Sequence, residues 1–188
     1  MAVNKKMQII NVAAELMSKK GYRDTTLDEI ASGVGLDKSS LFHYFKDKNG
    51  ILDMVVGQSL KEAIDSLKEI SDDSSSGPEV KLRLAIRVHV ETLVKNFHSI
   101  KVFFDEFRSF SRKKQVRFTD ERKEYERLFE MIVKEVQREG PLKGLNSKIV
   151  TFGIVGMSNW LIHWYKEGPS YLSPQEIAET FYRSLFFK

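Results

Sequence analysis

The chain of 188 residues contains no cysteine. That excludes a disulfide framework and any thiolate metal site, and it fits a cytoplasmic location. No run of about 18 apolar residues occurs, so no membrane-spanning helix is expected. The opening MAVNKKMQIINVAAELM is amphipathic without a sustained apolar core, so no secretory signal is expected there. Catalytic signatures are lacking as well. His43, His89, His98 and His163 form no HExxH pattern and no i,i+4 metal pair. There is no P-loop and no GxGxxG. Gly156-Met157-Ser158-Asn159-Trp160 lacks the second glycine of a nucleophile elbow and sits in a helical pattern. These absences predict a protein that is no enzyme and holds no cofactor or metal. A net charge of +4 and a pI near 9.1 permit a nucleic-acid partner without requiring one.

What is present is helical from end to end, and no strand pattern competes. A first helix is predicted from about Asn4 to Lys20, with Ile9, Val12, Ala13, Leu16 and Met17 as its buried stripe and Gly21 at its stop. Leu27, Ile30 and Ala31 give a second stripe, punctuated by Gly33 and Gly35, where a left-handed backbone closes a helix at little steric cost. Asp37 suits the N-cap of a short third helix with Leu41 and Phe45 facing inward. Lys38, Ser39, Ser40, Phe42, His43 and Tyr44 are then left on its exposed sides. Two short helices joined by a glycine turn, the second rich in donors, match the geometry that enters a major groove.

A fourth helix, from about Lys48 to Ile70, carries Ile51, Leu52, Val55, Val56, Leu60, Ile64 and Leu67 at helical spacing. DDSSSGP at 72–78 is the clearest break. Beyond it come an amphipathic helix, a short aromatic one over 100–110, and a long charged one over 112–138 ending at Gly140-Pro141. A helix over 143–166 and a last one over 173–187 follow. Ser173-Pro174-Gln175-Glu176 is a capping-box start with proline at the first helical position. The expected layout is all-α, with a DNA-binding domain over 1–47 and a second domain over 48–188, of which 48–71 is a linking helix.

The run Thr25-Thr26-x-x-x-Ile30-Ala31-x-x-x-Gly35-Leu36-x-Lys38-x-Ser40-Leu41-Phe42-His43-Tyr44-Phe45-x-x-Lys48 resembles the DNA-binding signature of the TetR family of transcription regulators. The resemblance covers about the first 50 residues without a gap. It implies nine helices, a double-stranded operator and a homodimer on an inverted repeat, with half-sites about 34–36 Å apart or at a related helical phase. It also implies site roles. Thr26 would bond a phosphate, Lys38, Ser39 and Ser40 would reach base edges, and His43, Tyr44 and Lys48 would contact the backbone. Phe42 stands where the family usually has tyrosine, so a phosphate bond worth about 1 kcal/mol is lost or replaced by contact with a thymine methyl. Asp37 stands where serine is common and is read as a cap.

Ile149, Phe152, Gly153, Gly156, Met157 and Trp160, with Phe181, Leu185 and Phe186, are the expected dimer surface. The second domain would enclose an apolar effector among Phe97, Phe103, Phe104, Phe107, Phe129, Met157, Trp160 and Trp164. A narrower resemblance joins Gly156-Met157-Ser158-Asn159-Trp160-x-x-x-Trp164-Tyr165 to Leu172-Ser173-Pro174-x-Glu176-Ile177-Ala178. It is to TetR members that answer to fatty acyl-CoA thioesters, and it would bring Arg108, Arg112, Lys113 and Lys114 to the CoA phosphates. The implied function is a repressor released from its operator by such an effector. Alternatives are a TetR-like repressor of efflux or another pathway with a different hydrophobic ligand, and a helical ligand carrier that binds no DNA.

Overall fold

A computed structural model describes residues 2–138, 140, 142–166 and 172–186, with side chains from Lys5 onward. Its regular elements are α1 (Ala2–Lys20), α2 (Leu27–Gly33), α3 (Lys38–Leu41), α4 (Lys48–Asp72), α5 (Pro78–Lys95) and α6 (Phe97–Glu106). After a 3-10 turn at Phe107–Ser109 come α7 (Arg112–Gln137), α8 (Ser147–Asn159), α9 (Leu161–Trp164) and α10 (Pro174–Ser184). Only Trp160 parts α8 from α9. Counted as one interrupted helix, they bring the described residues to the expected nine.

The chain forms two compact units. One comprises residues up to Leu60 together with Asn96–Phe118; the other comprises Lys61–Lys95 and the chain from Thr119. A boundary at 47/48 follows the chain, whereas the packing follows buried apolar surface. Ile51, Leu52, Val55 and Val56 of α4 join Ile9, Ala13 and Met17 of α1, Ile30 of α2 and Leu41 of α3 in one core. Val102 of α6, Phe110 and Phe118 complete that core. The first half of α4 and all of α6 therefore belong with the helix-turn-helix.

Local chemistry explains the ends of these helices. Gly21, at φ +89, closes α1 with its N–H on the Met17 carbonyl at 2.9 Å. The glycines at the end of α2 and just beyond it do different jobs. Gly35 takes the left-handed turn at φ +69. Gly33 is still helical, and its role is clearance, because a Cβ there would lie 2.6 Å from Val12 Cγ1 of α1.

In the second unit Leu82, Ile86 and Val90 of α5, Phe129, Ile132 and Val133 of α7, and Ile154 of α8 are fully buried. Here α10 packs on α5, with Ile177 and Ala178 inward. The Ser173 capping box and Pro174 open α10 as the sequence predicts. The helix expected from residue 143 starts at Ser147 instead. Gly144, at φ +85, turns the chain, and the Asn146 side chain accepts from Ile149 N–H at 3.1 Å. Pro141 and Phe187, read as a stop and as part of the last helix, lie outside the described residues.

Candidate nucleic-acid interface

α3 is one helical turn, extended by turn bonds through Phe45 N–H to the Leu41 carbonyl. Leu41 and Phe45 are buried and hold it to the core. Asp37 is its N-cap. Its Oδ1 accepts from Ser40 N–H at 2.6 Å and from the Ser39 hydroxyl at 2.6 Å. Those bonds, the Ser39 hydroxyl first, hold its carboxyl below the usual aspartate range. The negative charge thus stays on the helix end and takes the structural role the sequence assigned it.

Six of the expected DNA contacts converge on this turn. Ser39, Phe42 and His43 are exposed, Phe42 at 49%. About half of Phe42 is therefore open to solvent on this turn. Ser40 is half-buried at the cap. Tyr44 is half-buried against the core of its unit. Lys38 is exposed and pairs with Asp28 in the first turn of α2 at 2.8 Å, so a DNA contact must compete with that carboxylate. Thr26, the seventh, caps α2. Its hydroxyl accepts from Glu29 N–H at 3.2 Å, and the Glu29 carboxylate accepts from Thr26 N–H at 2.9 Å. Lys20 is also bonded to Glu29. The run Thr26-Leu27-Asp28-Glu29 carries the local pattern of this box.

Lys48, expected on phosphate, is engaged within its own unit. Its ammonium donates to the carbonyls of Tyr22 (2.9 Å), Arg23 (3.2 Å) and Thr25 (2.8 Å) and sits 4.4 Å from the centroid of the Tyr22 ring. An ammonium has three N–H bonds, and all three are used on the turn that leads into α2.

The eight expected effector liners are divided between the units. Phe97, Phe103, Phe104 and Phe107 belong to the first. There Phe103 stacks edge-on with Phe104, Phe107 and Phe118, and Phe103 and Phe107 pack on the core. Phe129, Met157, Trp160 and Trp164 belong to the second. Phe129 is fully buried and Met157 half-buried, but Trp160 and Trp164 are 62% and 41% exposed on the single chain. They continue a stripe with Ile149 and Phe152, at 70% and 45%. Of the basic run, Lys114 is held by Asp53 at 3.1 Å, while Arg108, Arg112 and Lys113 are exposed. An open cleft of about 460 Å³ lies between Gly77–Val80 and Glu135–Gly140 and touches none of the eight. No metal-binding cluster and no membrane-crossing helix occurs among the described residues.

Inside the second unit His89 of α5 meets Tyr125 of α7, ring nitrogen Nδ1 to hydroxyl, at 2.7 Å. Burial holds the His89 ring down to about 4, offset in part by the nearby Val155 carbonyl and Asn159 side chain. Unfolded, the imidazole titrates near 6.5. As pH falls between those values the unfolded chain takes a proton that the folded chain refuses. Stability is therefore intact above pH 6.5 and declines towards pH 4, by about 1.4 kcal/mol per pH unit near pH 5.5. Carboxylates with lowered values, such as Glu29 at about 2, act only below about pH 4.5. Urea unfolding at pH 7.0, 6.0 and 5.0 checks this, and a flat midpoint would mean that water reaches the ring.

A capped reading turn on a three-helix head, joined to an all-α unit with a buried polar pair, defines a helix-turn-helix regulator. Residues 9–55 match the family of bacterial regulatory proteins known as tetR, and 75–186 match the tetracyclin repressor-like C-terminal domain. The chain belongs to the TetR family of DNA-binding transcription regulators, which are not enzymes. It is 23% identical to the HTH-type transcriptional repressor KstR2 of Mycolicibacterium smegmatis, over 93% of this chain and 85% of that one. It is 26% identical to the fatty acid metabolism regulator protein of Bacillus subtilis, over 81% and 78%. Its fold matches AibR in complex with isovaleryl coenzyme A and operator DNA with a TM-score of 0.81 at 20% identity, covering 97% and 98%.

Proposed function

We propose that the protein is a homodimeric repressor that leaves an inverted-repeat operator when a fatty acyl-CoA binds its second unit. The observation that carries the reading is likeness along nearly the whole chain, reader and effector unit alike, to AibR, which was crystallised with an acyl-CoA and operator DNA. The Bacillus subtilis regulator adds support, since its name places it in fatty acid metabolism. The proposed reader comprises Thr26, Lys38, Ser39, Ser40, Phe42, His43 and Tyr44. The exposed stripe Ile149, Phe152, Trp160 and Trp164 supports a dimer, because a soluble monomer rarely leaves so large an apolar face bare.

Thermal melting against acyl-CoAs of rising chain length tests the effector. A thioester at 100 times its dissociation constant is expected to add about 2.7 kcal/mol of stability, with no rise from free CoA. Selection of bound duplexes from a random library supplies the operator, and the thioester should then release it. No melting shift at saturating thioester removes acyl-CoA as the effector. No enriched duplex removes operator reading.

A further inference from the structure

Three carboxylates on the head hold donors that the proposed reader would bring to DNA. Asp37 accepts from the Ser39 hydroxyl at 2.6 Å. Glu29 accepts from the Thr26 hydroxyl at 2.8 Å. Asp28 holds the Lys38 ammonium at 2.8 Å. A hydroxyl has one hydrogen, and a phosphate oxygen only accepts. Thr26 and Ser39 must therefore let go of a carboxylate before either donates to DNA.

Two of these acids have work in the fold. Asp37 caps α3 through Ser40 N–H, and Glu29 completes the capping box of α2. Asp28 differs. Among the described residues its carboxylate accepts no backbone N–H, and its partner is Lys38 on the next helix. Glu29 already supplies an acid to the first turn of α2. The Asp28 and Lys38 side chains are 65% and 50% exposed, so their pair adds little to stability and variants at both positions should fold. An acid that caps nothing, set among groups proposed to meet a polyanion, costs affinity for every duplex.

The ammonium of Lys38 shows what that cost can return. It has three N–H bonds. With one on Asp28, two remain, and the major-groove edge of guanine offers two acceptors, O6 and N7. Those atoms carry no full charge, so the Asp28 bond survives beside them. A phosphate on the same ammonium would instead stand close to the Asp28 carboxylate, anion against anion.

We propose that Asp28 is a specificity-determining residue. It keeps the Lys38 ammonium off phosphate, so that Lys38 adds to binding only where the operator presents guanine to the N-terminal end of α3. The proposal rests on the reading that this head binds an operator.

Binding to a random-sequence duplex and to duplexes selected by wild type tests it. The proteins compared are full-length wild type, Asp28→Asn, Lys38→Met and the double variant. With two heads, Asp28→Asn should bind the random duplex roughly tenfold more tightly, and its salt slope should steepen by about 0.9 per head. Affinity for the selected duplexes should change less, so the specificity ratio falls. In the Lys38→Met background the same substitution should gain at most roughly twofold, because no ammonium is freed. An equal gain with and without Lys38 would mean bare repulsion by Asp28 and overturn the proposal, as would no gain in either. Duplexes selected by wild type should carry guanine at a symmetric position in each half-site, and Lys38→Met should lose that preference. A preference unchanged in Lys38→Met would also overturn it. If selection enriches no duplex, the operator reading fails, and the random-duplex comparison still decides whether Asp28 restrains Lys38.

Discussion

Ile149→Asp and Trp160→Asp are each expected to give a folded monomer that binds its operator at least about a hundredfold more weakly than wild type. Both side chains are exposed on the single chain, so the protomer loses little packing. Ile149 is three residues past the Asn146 cap, where an aspartate favours the helix N-terminus. In a twofold dimer the new carboxylate enters the interface from both protomers, so each substitution acts twice. One head reads only a few base pairs, and the second head supplies the effective concentration that makes binding useful. Sedimentation and DNA anisotropy on the same samples check both parts. A variant that still sediments as a dimer would move the interface off α8.

Lys48→Met is the second large effect, and its signature separates two roles. The methionine keeps most of the apolar stem and removes the ammonium that gathers the carbonyls of Tyr22, Arg23 and Thr25. Bonds from a charged donor are worth about 1.5–3 kcal/mol each at best. Because these carbonyls are only part-buried and water can replace some of the loss, the expected destabilisation is about 2–3 kcal/mol. DNA affinity should fall on all sequences, because the turn that sets Thr26 loosens, while the salt dependence keeps its slope. A phosphate-binding Lys48 would do the opposite. Stability would hold, and the slope would drop by about 0.9 per subunit contact. Urea unfolding and binding isotherms at several salt concentrations read both quantities.

The contrast between these residues shows what the sequence makes legible. The reader could be read because its parts are neighbours. A cap, an apolar pair four apart and a glycine turn are local rules, and they place Asp37, Leu41 and Gly35 correctly. The Ser173 box is another local rule. The bonds of Lys48 are not legible in the sequence, because its partners are backbone carbonyls, which every residue has, so no pattern marks them. His89 and Tyr125 are 36 positions apart, and Asp53 and Lys114 are 61 apart; spacing along a chain does not announce such pairs. The aromatics of α6 were legible as apolar but not as to which core they join, since Phe103 and Phe107 fit either by composition. Trp160 and Trp164 show the same ambiguity between a cavity wall and a surface awaiting a partner.

The clearance between α1 and α2 bears on how this head can change over generations. With a Cβ at position 33 falling 2.6 Å from Val12 Cγ1, the residue at 33 is chosen jointly with the residue at 12. A lineage that first gains a side chain at 33 meets a clash and is selected against. One that first shrinks Val12 to alanine crosses a shallow cavity and can then fill it from the other helix. The two substitutions are accessible in one order and closed in the other. The angle between the first helix and the reading head is thus inherited through a historical sequence of steps as much as through any single contact.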